Sequence, residues 1–136
     1  MNRMEMNDFF GSVIHSYSRQ QAISDGVLID VSQTAGEAGF TIPVSVTQAV
    51  WSDYIEWGAK DRKQAIQDTE GRLWDVLYML RLAISRSSNS ECICYSVYVI
   101  PRDGKSKQTK LIKLKSVIGG GDNGEPVITI MLPNED

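Results

Sequence analysis

The stretch RLWDVLYMLRLAISR, Arg72 to Arg86, constrains the fold more than any other part of the chain. Leu73, Val76, Leu77, Leu80, Ala83 and Ile84 recur at the i, i+3, i+4, i+7 spacing of one helical face, and few residues in the run oppose a helix. A helix with such a stripe must bury it against another element, and the strand-rich segments that follow are the nearest candidates. Trp74, Tyr78 and Arg81 flank the stripe, while Arg72, Asp75 and Arg86 are expected to reach water. The helix is therefore read as the spine of an α+β domain.

After the polar patch SRSSNSE, Ser85 to Glu91, the period changes from helical to alternating. Three strands are expected, over Cys92–Ile100, Thr109–Ile118 and Val127–Leu132. Asp103-Gly104 is a strong turn signal between the first two. In TKLIKLKSVI, Ile112, Leu114, Ser116 and Ile118 share one side, and Leu111, Lys113, Lys115 and Val117 share the other, which is thus expected to be partly solvated. Short links make this a meander, so the expected fold is a single α+β domain. Its antiparallel three- to four-stranded sheet packs on the long helix, with shorter helices toward the N-terminus.

Residues 1–12 show little periodicity and read as a loose lead-in to a single domain spanning 1–136. SYSRQQAISDG reads as a short helix, capped by Ser16 or Ser18 and stopped at Gly26. VLIDVS reads as a buried strand, Ser32 as the cap of a brief turn through QTAGEAG, and FTIPVSV as extended around Pro43. Thr47 is placed to cap a helix through QAVWSDYIEWG that ends at Gly58. AKDRKQAIQDTEG is the most polar stretch and reads as a loop with room for one helical turn.

At 136 residues, with 42% hydrophobic and 23% charged side chains, one buried core is the expectation, and no run approaches the roughly 18 apolar residues of a membrane span. The N-terminus has no apolar run like that of a signal peptide, which places the protein in a cytoplasm. A net charge of -3 and a pI near 5.1 argue against strong nucleic-acid binding. Cys92 and Cys94, two apart on a strand, suit neither a disulfide with each other nor a zinc set, and are expected to be small buried side chains.

The stretch VIGGGDNGEP offers the most tempting chemistry. Gly119, Gly120, Gly121 and Gly124 would permit positive φ and let backbone amides meet an anion, with Asp122 and Asn123 at the tip. A phosphate loop, however, leads into a helix N-terminus, and here a strand follows. Asp122 and Glu125 would repel a phosphate, so a hairpin is expected. No bound metal and no cofactor are expected, because the acids lack the alternation of a calcium loop. His15 stands alone, no Gly-x-Ser-x-Gly is present, and no catalytic residue is assigned. A binding patch is better motivated: Arg72, Arg81, Trp74 and Tyr78 lie on one helix, and Lys113 and Lys115 on a strand that it is expected to cover. Together they could hold a nucleotide-like anion.

IHSYSRQQAISDGVLIDVS, GRLWDVLYMLRLAI and LKSVIGGGDNGEPVITIMLPNED, taken together, resemble a family of small proteins of unknown function encoded by bacteriophages, plasmids and other mobile elements. The similarity runs from about Val13 to the C-terminus. It implies a bacterial cytoplasm and an accessory role, and it carries no site residues. The function expected is a non-catalytic, homo-oligomeric binding protein that counters host defence by occluding a defence protein or sequestering a nucleotide signal. Two alternatives stand beside it: a small nucleotide-handling enzyme built on His15, Asp25 or Asp30 and Arg81, and a structural or regulatory partner in mobile-element replication or transfer.

Overall fold

The computed structural model describes residues 17–87 and 90–136. In chain order the elements are α1 (Arg19–Ser24), β1 (Leu28–Asp30), α2 (Ser32–Glu37), β2 (Val44–Thr47), α3 (Gln48–Val50), which runs directly into a wider π turn (Trp51–Ile55), a 3-10 turn (Ala59–Lys63), α4 (Thr69–Arg86), β3 (Cys92–Val99), β4 (Lys110–Gly120) and β5 (Pro126–Met131). The lead-in 1–12, Ser16 and His15 lie outside the described residues.

The long helix forms as its spacing predicts. Leu73, Val76, Leu77 and Leu80 are buried, and Ala83 and Ile84 pack half-buried against the same core. It begins at Thr69 because the carboxylate of Asp68 accepts the Gly71 N–H at 2.7 Å, an N-cap one turn ahead of the apolar stripe. Ser18 caps α1 through the Gln21 N–H, Gly26 ends it with φ +78, and Thr47 caps α3 through the Val50 N–H. The α3 segment stops at Ile55 rather than Gly58, since the chain is already extended at Glu56. Ser32 is not a cap: the N-cap of α2 is Val31, and the Ser32 hydroxyl instead donates to Asp30 and accepts from the Val44 N–H.

The sheet differs most from expectation. Among the described residues it has five strands in the order β1-β2-β5-β4-β3, and β2 runs parallel to β5, pairing Val44 with Ile128 and Val46 with Ile130. The expected antiparallel meander is only its β3-β4-β5 portion. β5 becomes a central strand, because Val127, Ile128, Ile130 and Met131 offer apolar side chains to both faces and a strand covered on both faces reads as a nearly continuous apolar run. β1 is a half-buried edge rather than a buried strand.

One face, carrying Val44, Val46, Tyr95, Val97, Leu114, Ile128 and Ile130, packs on α4 and α2 and holds the core. The other face carries Ser45, Thr47, Val127, Thr129 and Met131, with Cys94, Ser96, Lys113 and Lys115 farther along. Among the described residues, short α1 covers only the β1 end of this face, and the β3 end is left open. For that reason both cysteines are exposed, contrary to the expectation that they are buried. No helix is long and apolar enough to cross a membrane, among the described residues.

Candidate functional site

A groove of about 1220 Å³ lies on the second face of the sheet, between α1, the β4–β5 turn and the C-terminal residues. Leu28, Val127, Thr129 and Met131 lie along its floor, and Arg19, Ala22 and Asp25 belong to the α1 wall.

The glycine-rich stretch builds one end of this groove as a hairpin. Gly119 and Gly120 are ladder residues opposite Val127 and Pro126, so they need no unusual backbone. Only Gly124 takes a positive φ, +80, and its N–H closes on the Gly121 carbonyl at 3.0 Å. Asn123 is exposed and donates its N–H to the Glu125 carboxylate at 2.9 Å. The amides do not converge on a point. It is the side chain of Asp122 that acts, accepting the N–H groups of Arg19 at 2.7 Å and Gln20 at 3.0 Å. Asp122 thus satisfies two orphan donors at the start of α1, while Ser18 takes a third. A six-residue helix is too short to persist in isolation, and this clamp together with packing holds it on the sheet. Asp122→Ala is expected to cost about 1 kcal/mol and to speed amide exchange selectively across α1; unchanged exchange there would refute the clamp.

Like Asp122, the groove acids Asp25 and Glu135 are held by donors from the chain itself. Asp25 accepts from the Tyr17 hydroxyl and from Gln21 Nε2, and that bond, with the nearby negative charge, raises the Tyr17 pKa above its ordinary value. Glu135 accepts from Thr47 Oγ1 at 2.8 Å and from the Leu132 N–H at 2.7 Å, folding the C-terminal residues over the sheet. Arg19 lies largely covered, its Nη2 3.9 Å from Asp30, and its Nε and Nη2 have no hydrogen-bond partner among the described residues.

The six residues expected to form a patch do not come together. Arg72 is buried rather than water-facing: it donates to the carbonyls of Ile55 and Ile100 and to Gln67, and lies over the Trp57 ring at 4.5 Å. Trp74 is half-buried against the core, Tyr78 is exposed, and Arg81 donates to the Ala38 carbonyl at 2.7 Å. All four belong to α4, on one face of the sheet. Lys113 and Lys115 point from the opposite face, and Lys115 is tied to the Glu135 carbonyl at 2.5 Å. The same division separates Asp25 and Asp30 from Arg81. No group of three or more His, Cys, Asp or Glu is placed to hold a metal, among the described residues.

Arg19, Gln64 and Arg102 were not signalled by local pattern. Gln64 is buried in the loop that read as merely polar, and Arg102 bridges Asp61 at 3.0 Å and Glu56 at 3.1 Å. The Gly58 N–H and this guanidinium hold the Asp61 carboxyl below its ordinary pKa. Their partners are about 40 residues away or more for Gln64 and Arg102, so only the folded chain assembles them.

A family model described as "Family of unknown function (DUF6573)" matches residues 6–136. No curated protein and no solved structure matches the chain.

Proposed function

We propose that this chain, which belongs to the DUF6573 family of unknown function, is a non-catalytic accessory binding protein of a bacterial mobile element. In this reading it works in the host cytoplasm as a homo-oligomer and docks a host polypeptide, a defence protein, in the groove beside α1. The observation that carries the reading is the groove itself: a long concave surface with an apolar floor and polar walls already braced by internal hydrogen bonds, which lowers the ordering cost of binding.

Charge favours a polypeptide over a nucleotide signal. Asp25, Asp122, Glu135 and Asp136 outnumber Arg19 along the lining, so a phosphate meets net repulsion, whereas a segment bearing Lys or Arg finds complementary charge. Dispersal of the expected cationic patch over two faces of the sheet points the same way.

A photoreactive residue placed at Gln48, on the groove wall, tests this against one at Tyr78 on the far side of the molecule. In host cells the Gln48 probe is expected to label one recurrent polypeptide that the Tyr78 probe does not, and Thr129→Arg on the groove floor is expected to abolish that labelling. Identical labelling from both positions, or labelling unaffected by Thr129→Arg, would overturn the reading.

A further inference from the structure

We propose that β3 is the edge through which two copies of this chain join their sheets; this rests on the self-association in the reading above and gives it a surface. The sheet has two edges of unequal character. β1 is three residues long and ends in a charged Asp30. β3 runs eight residues, Cys92 to Val99, with no charge, proline or glycine. Edge strands in natural proteins are usually blunted by such residues or kept short, because their free backbone groups recruit another strand. β3 has neither protection.

Its free groups can be assigned. In an antiparallel ladder the N–H and C=O of one residue point to the same neighbour, and those of the next residue point away. Ile118 donates to the Glu91 carbonyl at 2.8 Å, so the odd-numbered residues of β3 serve β4, and Cys92, Cys94, Ser96 and Tyr98 face outward. Ser90 closes off the first of these: its hydroxyl donates to the Cys92 carbonyl at 2.6 Å and accepts the Cys92 N–H at 3.3 Å. Among the described residues, the backbone groups of Cys94, Ser96 and Tyr98 remain for a partner.

That remaining stretch is symmetric about Ser96. When a second copy lies antiparallel with Ser96 opposite Ser96, Cys94 falls opposite Tyr98 and Tyr98 opposite Cys94. A two-fold axis then makes both bonds of all three pairs. The occupant is a second copy because the free stretch maps onto itself, and because an uncharged strand meets its twin with no like charges across the seam. Beside this edge, on the α4 side, a recess of about 420 Å³ is lined by the apolar Met79, Leu82, Ala83, Ile93 and Tyr95, with Arg86 as its one charged side chain. The two-fold brings the same apolar side chains of the second α4 toward it, adding apolar burial to the backbone bonds.

The test uses the full chain. Light scattering is expected to give twice the 15.2 kDa chain mass, and Ser96→Pro is expected to return the mass of one chain with the circular dichroism of the fold retained. That substitution removes an outward N–H and spares the β3–β4 ladder. In a Cys92→Ser, Cys94→Ser background, Ser96→Cys is expected to give a disulfide-linked dimer on mild oxidation, since hydrogen-bonded pairs bring Cα atoms to about 5.5 Å, within disulfide range. Lys113→Cys, one strand inward, is expected to stay uncrosslinked. A chain monomeric up to its solubility limit overturns self-association as a whole. An oligomer that survives Ser96→Pro, or that fails to crosslink through Ser96→Cys, overturns the β3 edge alone; should Ser96→Pro unfold the chain, the crosslink decides.

Discussion

Arg72→Ala is expected to lower the free energy of unfolding by about 3–5 kcal/mol, the largest effect of any single charged residue here. Arg72 is 3% exposed and, among the described residues, has no directly paired carboxylate. Its guanidinium works through neutral acceptors, the carbonyls of Ile55 at 3.1 Å and Ile100 at 2.9 Å and the Gln67 side chain at 2.7 Å. Desolvation lowers its pKa to about 10, so it is still protonated at neutral pH and keeps every donor. Truncation strands two buried carbonyls at roughly 1–3 kcal/mol each and removes the cation lying over Trp57. Burying an ion has its own cost, which the deletion relieves, but the orphaned acceptors outweigh it because they close the π turn and the end of β3 at one point. Arg72→Lys is expected to restore less than half the loss, since one ammonium cannot reproduce the fork over three acceptors. Urea unfolding checks both; a loss below about 1 kcal/mol for the alanine variant would contradict this account.

Gln64→Ala is expected to cost about 2–3 kcal/mol, for a related reason. The side chain is 3% exposed and pins the β3–β4 connection. Its Nε2 donates to the carbonyls of Pro101 at 2.7 Å and Ser106 at 2.8 Å, and its Oε1 accepts the Gly104 N–H at 2.9 Å. Only an amide supplies donors and an acceptor in this arrangement, so Gln64→Glu is expected to be no better than alanine: it turns a carboxylate oxygen toward two carbonyls. Part of the loss is recovered when water enters the loosened loop, which keeps the estimate below that for Arg72. Denaturant unfolding gives the total, and amide exchange at Gly104 locates it. If Gly104 exchanges at its wild-type rate in Gln64→Ala, the pin is not what orders the loop.

These two residues show how far the sequence could be read. Arg72 is legible as part of the helix that dominates the chain, but its direction is not: its charge and its position at the end of the run point to water. Helical phase put it beside Leu73, at the buried end, where only the arrival of Ile55 and Ile100 could complete its bonds. Gln64 sat in a polar stretch with no periodicity, and its partners come from a loop beyond the next helix and strand. The glycine-rich turn was legible as a hairpin, because a strand follows it and acids flank it. That Asp122 there would clamp a helix 102 to 103 residues away was not, since no local pattern records it.

What the amino-acid order determined by itself is the set of short-range structures: the Leu73 to Leu80 stripe and its helix, the caps at Ser18 and Thr47, the stop at Gly26, and the β3-β4-β5 strands with their turns. Each depends on side-chain spacing, backbone freedom or a hydrogen bond spanning a few residues, and those are written within a few residues of chain. Tertiary structure alone decided that β2 would lie parallel to β5, that Lys113 and Lys115 would face away from α4, that both cysteines would be exposed, and that α1 would shape a groove. Those outcomes follow from which remote apolar surfaces cover one another and which distant donors satisfy buried acceptors, and such a choice exists only once the whole chain competes for the same core.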